Sequence, residues 1–273
     1  MRQVARVLRS DRPVRPRFGF TLVELMVSIG VIAVLIAILL PVIHSVREQG
    51  RGVVCQSHLR QLWQGFVAFS ADHDGRLPGN NFDFPVPSAN PDGGDWLAAP
   101  ANTWVDSFST APQGGTLFKY VGGNYSIYRC PSLELASAPW YEGGIGAGSN
   151  GRWDYVAFTA FAGCHLQRVP NTCTFSADGT TLTLPTPIIC EEEAGTINGS
   201  NMEGCHSEWD QLGHQHRGGC YYASPDGTVN WFAEPMDANA WSWSVLTSAG
   251  KPYNIGNPSV SGYFERRSSV GWQ

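Results

Sequence analysis

An α+β fold is what the sequence predicts: one long N-terminal α-helix packed on an antiparallel β-sheet head with loop-rich insertions. Two observations lead there. Residues Phe20 to Ile43 form an apolar run with a single charge, followed by helix-period hydrophobic spacing to about residue 75. Beyond that point helix-period stretches are few, and 31 glycines and 18 prolines punctuate short apolar runs across the chain. With 42% hydrophobic and 15% charged residues, the 273-residue chain can build one sizeable core or two small ones.

The first element, residues 1–19, is a basic leader carrying Arg2, Arg6, Arg9, Arg12, Arg15 and Arg17 against the single acid Asp11. Without it, 12 basic residues face 22 acidic ones. So acidic a body, with Lys119 and Lys251 its only lysines, offers no polybasic surface for phosphates, which argues against nucleic acid as a partner.

The second element, residues 20–43, is 24 residues long and as a helix extends roughly 36 Å, enough to cross a bilayer. Arginines on its N-terminal side place the N-terminus in the cytoplasm and export the chain from about His44 onward. A secretory signal would have a shorter apolar core followed by small residues, and ILLPVIHSVREQ has no such cleavage site. Glu24 lies inside the run, and an ionisable group there costs at least a few kcal/mol unless partnered. An amine is the expected partner, and snorkelling at the membrane border or protonation of the carboxylate is the alternative.

The border sequence Arg17-Phe18-Gly19-Phe20-Thr21-Leu22-Val23-Glu24-Leu25 resembles the type IV prepilin signal. The resemblance implies a type IV pilin-like fold, with a membrane prepilin peptidase cutting between Gly19 and Phe20 and with N-methylation of Phe20. It also gives Glu24 a partner, the new amine on Phe20 of a neighbouring subunit, and it matches Pro41 to a helix-kinking proline of many pilins. Other pilin-like subunits, the prepilin peptidase and the membrane are then the expected partners. The expected location is the bacterial cytoplasmic membrane, single-pass, with the head periplasmic or in an extracellular filament.

The third element, residues 44–75, reads as amphipathic helix, with Val46, Val53, Val54, Leu59, Leu62, Phe66, Val67 and Phe69 on an expected packing face and a bend at Gly50 and Gly52. Asp72-His73-Asp74-Gly75 is a helix-stop turn in preference to half a calcium loop, since the distal glutamate is missing and Pro78 interrupts it. Phe69, Asp72, Gly75 and Pro78 resemble the helix exit of the major pseudopilins.

The head, residues 76–273, opens with a loop-rich insertion from Asn80 to Pro112. Strands are expected at Thr116–Val121, Trp153–Phe161, Thr180–Leu184, Pro187–Cys190, Cys220–Ala223 and Thr228–Phe232. Ser224 to Gly227 makes the turn between the last two, with Asp226 accepting backbone hydrogens and Gly227 at positive φ. His216 falls at the start of this hairpin, where a hydrogen bond to the turn or to a neighbouring carbonyl is expected.

His216, nine residues and then Asp226-Gly227 resembles the signature of the processing-associated His-x9-Asp-Gly pilin-like proteins of planctomycetes and related bacteria. Cys55 with Leu59-Arg60-Gln61-Leu62, and Tyr128-Arg129-Cys130-Pro131-Ser132, fit the same family. Tyr222 and Thr228 depart from it, standing where asparagine and histidine are frequent.

Seven cysteines suit an oxidising compartment, and no pair is spaced as CxxC. Cys164 with Cys173, and Cys205 with Cys220, span loops short enough for disulfides, but spacing does not fix connectivity. Cys205, His206, His214 and His216, with Glu208 or Asp210, are an alternative divalent-metal set. Glu191-Glu192-Glu193 adds carboxylates or is simply a solvated run. Otherwise no cofactor is expected. No familiar hydrolase signature is present, so the chain reads as a non-enzymatic subunit of a type IV pilus or a type II secretion-like pseudopilus. The alternative is a membrane-tethered module binding glycan or metal, its tryptophans (Trp96, Trp104, Trp140, Trp153, Trp231, Trp241, Trp243) forming an aromatic platform.

Overall fold

The computed structural model describes residues 20–79, 96–97, 112–132, 154–177, 179–191, 205–206, 212–233, 241–246 and 252–256. The chain divides into two compact units, 1–46 and 47–273. Helix α1, Leu22–Asp72, contributes to both.

In the first unit α1 is apolar all round. The large hydrophobic side chains from Leu22 to Ile43 are exposed, and the helix is long and apolar enough to cross a membrane. A stripe buried on protein would be amphipathic; uniform apolarity suits lipid or other helices. The helix runs through Pro41.

In the second unit α1 turns one face to the core, burying Gly52, Cys55, Leu59, Leu62, Trp63, Phe66 and Phe69. That face differs from the expected one in part. Val53, Val54 and Val67 are exposed there, and Val46 is exposed in the first unit, because the buried stripe follows Gly52 and Cys55. The helix is continuous through Gly50 and Gly52. It ends in a glycine stop in which Gly75 N–H donates to Ser70 O at 2.7 Å, with Asp74 at φ 52° and Gly75 at φ 78°.

Two sheets follow. The first is built from β1 (Tyr155–Phe158), β4 (Ile189–Glu191), β5 (Cys205–His206), β6 (Cys220–Ala223) and β7 (Val229–Phe232), in the order β5-β1-β4-β6-β7. All its pairings are antiparallel except β1 with β5. The second, ordered β3-β2-β8-β9, joins β2 (Thr172–Ala177), β3 (Thr180–Pro185), β8 (Trp241–Leu246) and β9 (Pro252–Gly256), all antiparallel. Cys173, Phe175 and Ala177 alternate inward along β2.

Thr116–Val121 is not a strand. It curls through consecutive turns, with Phe118 N–H donating to Gly115 O and Tyr120 N–H to Leu117 O. Flanking glycines permit this: Gly122 and Gly123 take φ 68° and 69°, while Leu117 enters the core. Trp243 sits where the sheets meet, its ring centroid 4.9 Å from that of Phe175, 5.1 Å from Phe232, and 6.3 Å from both Phe158 and Tyr222.

Candidate functional site

The start of α1 is closed by its own side chains. Thr21 N–H and Thr21 Oγ1 both donate to Glu24 Oε2 at 2.8 Å, and Glu24 N–H donates to Thr21 Oγ1 at 3.2 Å. This reciprocal capping box satisfies helix-start donors that hydrocarbon would leave unmet, and it sets an acid at the positive end of the helix dipole. Among the described residues Glu24 Oε1 has no partner. Phe20 precedes the box with its ring exposed; Gly19 and the leader lie outside the described residues.

A second constellation lies in the head. Cys55 (on α1), Cys130, Glu191 (closing β4) and His216 (before β6) bring one donor atom each to within 4.8 Å of one another. All four are buried. Cys55 Sγ lies 2.9 Å from Cys130 Sγ, and Cys130 Sγ lies 3.4 Å from His216 Nε2. His216 is held at both nitrogens: Nε2 lies 3.0 Å from Glu191 Oε1 and Nδ1 2.9 Å from Glu48 Oε1.

Backbone geometry explains the placement. His216 and Gly219 exchange N–H···O bonds across Arg217 and Gly218, which have φ 58° and 75°. A tight turn with two left-handed residues results, and Trp231 Nε1–H donates to His216 O at 2.8 Å. Asp154 Oδ2 accepts from Cys130 N–H at 2.7 Å and from Arg129 Nε–H at 3.0 Å, fixing the Arg129–Cys130 segment of the site. Tyr221 N–H donates to Glu191 Oε2 at 2.9 Å. Glu48 also accepts from Ser132 Oγ at 2.9 Å and Arg51 Nη1 at 3.2 Å.

The electrostatics are those of a closed, mutually dependent cluster. Burial works against the His216 imidazolium, but its bonds with Cys130 and Glu191 and the Glu191 charge outweigh that and push it up to about 11. The hydrogen bond to Cys130 and burial push the Cys55 thiol up, whereas the Cys55 bond draws the Cys130 thiol down.

Sequence reasoning placed His216 at a hairpin start bonded to a turn or carbonyl; its ring instead binds two carboxylates and a sulfur. Of the expected metal set, the Cys205 and His206 side chains, Glu208 and Asp210 lie outside the described residues. His214 is half-buried and is not among the four convergent donors. Asp226 and Gly227 are distant in role: Asp226 Oδ1 accepts from Thr228 N–H at 2.9 Å and Thr228 Oγ1 at 2.7 Å, and Gly227 takes φ 82°.

Among the described residues no disulfide is formed. The expected Cys164–Cys173 closure is not made, since Cys164 Sγ–H donates to Ala160 O and Cys173 Sγ–H to Pro185 O. Cys220 is buried in β6 and likewise makes no disulfide in this structure. The convergence of Cys55 and Cys130 had no local signal, because 75 residues separate them.

Residues 14–40 match the family model described as Prokaryotic N-terminal methylation motif. No curated protein and no solved structure matches the chain.

Proposed function

We propose that this chain is a type IV pilin-like subunit, cut by a prepilin peptidase between Gly19 and Phe20, methylated on Phe20 and assembled through its N-terminal helix. The observation that carries this reading is the methylation motif over residues 14–40 coinciding with one helix, Leu22–Asp72, fit in length and composition for a membrane. Its role is structural rather than enzymatic. Before assembly the helix anchors the subunit in the cytoplasmic membrane, with the leader in the cytoplasm and the head outside it. After assembly it packs among like helices of a pilus or pseudopilus.

The capping box gives Glu24 two tasks. Its Oε2 holds Thr21 within the chain, and its Oε1 receives the α-amine of Phe20 on the adjacent subunit, which fixes the axial stagger. Pro41 adjusts the path of the packed helices.

Mass spectrometry of the mature N-terminus, from membranes of a host with a prepilin peptidase, tests the reading. A terminus at Phe20 is expected; a retained arginine-rich leader would overturn it and favour a tethered binding module. Glu24→Ala should leave the processed chain in the membrane while sharply lowering its recovery in sheared filaments or pseudopili.

A further inference from the structure

We propose that Cys55, Cys130, Glu191 and His216 form a closed, four-coordinate site for a divalent transition ion of the zinc class that ties α1 to the head. Two sulfurs, one imidazole nitrogen and one carboxylate oxygen make a donor set that zinc accepts in tetrahedral structural sites. With metal–sulfur bonds of about 2.3 Å and metal–nitrogen or metal–oxygen bonds of about 2.0–2.1 Å, a tetrahedron separates its ligand atoms by about 3.3–3.8 Å. The sulfur–sulfur, sulfur–nitrogen and nitrogen–oxygen separations of 2.9, 3.4 and 3.0 Å, inside a 4.8 Å envelope, come within an ångström of that figure.

The surroundings point the same way. Glu48 Oε1 engages His216 Nδ1 and so turns Nε2 inward, the carboxylate-to-imidazole arrangement that orients metal-bound histidines. Tyr221 N–H occupies Glu191 Oε2, leaving Oε1 on the cluster side. Glu191 is wholly buried, and a buried carboxylate needs a positive partner, met in the metal-free site by the His216 ring 3.0 Å away and, once the Nε2 proton leaves, by the ion. A Cys55–Cys130 disulfide would link the same elements but would give neither Glu191 nor His216 an interaction at sulfur that required them.

On binding, the ion takes a lone pair from each donor. The thiol protons of Cys55 and Cys130, and the proton shared by His216 Nε2 and Glu191, pass to solvent, with no change of oxidation state.

The test uses the full chain, purified from membranes in mild detergent without chelator or reductant, and is independent of how the N-terminus is processed. Elemental analysis should find zinc near one equivalent per chain, and peptide mapping should find Cys55 and Cys130 as thiols protected from alkylation until a chelator is added. Exchange with Co2+ should give the visible bands of a tetrahedral ion with thiolate charge transfer. Removing a ligand, as in His216→Ala, risks the fold, so Glu48→Gln serves as the second variant: it should keep the Co2+ spectrum but bind about 10–100-fold more weakly. A peptide cross-linked through Cys55 and Cys130, or a folded chain with no zinc and no thiolate–Co2+ band, would overturn the proposal.

Discussion

At the scale of single residues, the two glycines of α1 that look equivalent in sequence have opposite surroundings. Gly50 has nothing within 4 Å of where a Cβ would sit, so Gly50→Ala should stabilise by about 0.5–1 kcal/mol through helix propensity alone. A Cβ on Gly52 would meet the Tyr221 hydroxyl at 3.1 Å and its ring at 3.2 Å. Gly52→Leu should therefore cost about 1–3 kcal/mol by overpacking, and chemical denaturation of the detergent-solubilised chain would separate the two. Proximity of Gly52 to Tyr221 explains why sequence reasoning expected a weak point and the structure has a docking point: propensity is local, but the ring arrives from β6. The candidate site was partly legible for the same reason. His216 and the Cys55 and Cys130 segments stood out individually, Glu191 looked like part of a solvated acidic run, and Glu48 gave no signal at all. Only the fold brings them together. His58 supplies a pH signature at this scale. Burial holds its imidazolium below the ordinary value although Nδ1 lies 2.9 Å from Arg129 O. The unfolded chain therefore protonates first, and this contribution to stability, present above about pH 6.5, is lost as pH falls below it. His58→Gln should flatten the fall of the unfolding midpoint between neutral and mildly acidic pH, and a slope equal to that of the wild type would discard the assignment.

At the scale of elements, the β6–β7 hairpin shows what turn chemistry can and cannot disclose. Asp226 and Gly227 marked the turn because an Asx side chain that accepts from residue 228 and a left-handed glycine are local requirements. The partner of the turn was not readable: a Cβ on Gly227 would lie 3.3 Å from Trp63 Nε1, so the hairpin tip rests on α1. Gly227→Ala adds left-handed strain to that contact and should cost at least about 1–2 kcal/mol, whereas Asp226→Asn, which keeps the acceptor, should change the unfolding midpoint little. Strands β2 and β8 were missed although their alternation was present, in Cys173, Phe175 and Ala177 and in Trp243 and Val245. Serine and threonine at the intervening positions resembled loop composition. The run Thr116–Val121 erred the other way, its β-prone residues overridden by the glycines that let it curl.

At the scale of the whole head, one side chain decides whether the two sheets behave as separate layers. Trp243 is wholly buried on β8 of the four-stranded sheet, yet three of the four aromatic neighbours it has among the described residues, Phe158, Tyr222 and Phe232, belong to the five-stranded one. The fourth, Phe175, also touches Phe232 at 4.9 Å, edge to face. Each such pair adds about 0.5–1.5 kcal/mol beyond simple burial, and removing a buried indole forfeits about 3–5 kcal/mol because its neighbours collapse only in part. The consequence concerns cooperativity as well as stability. If the tryptophan is the coupling element, Trp243→Ala should lower the midpoint and also split the unfolding of the head into two transitions. The first would release β2, β3, β8 and β9, while amides of β4 and β6, closer to α1, stay protected from hydrogen exchange. A single, merely shifted transition with uniform loss of protection would assign the coupling to the Phe175–Phe232 contact instead.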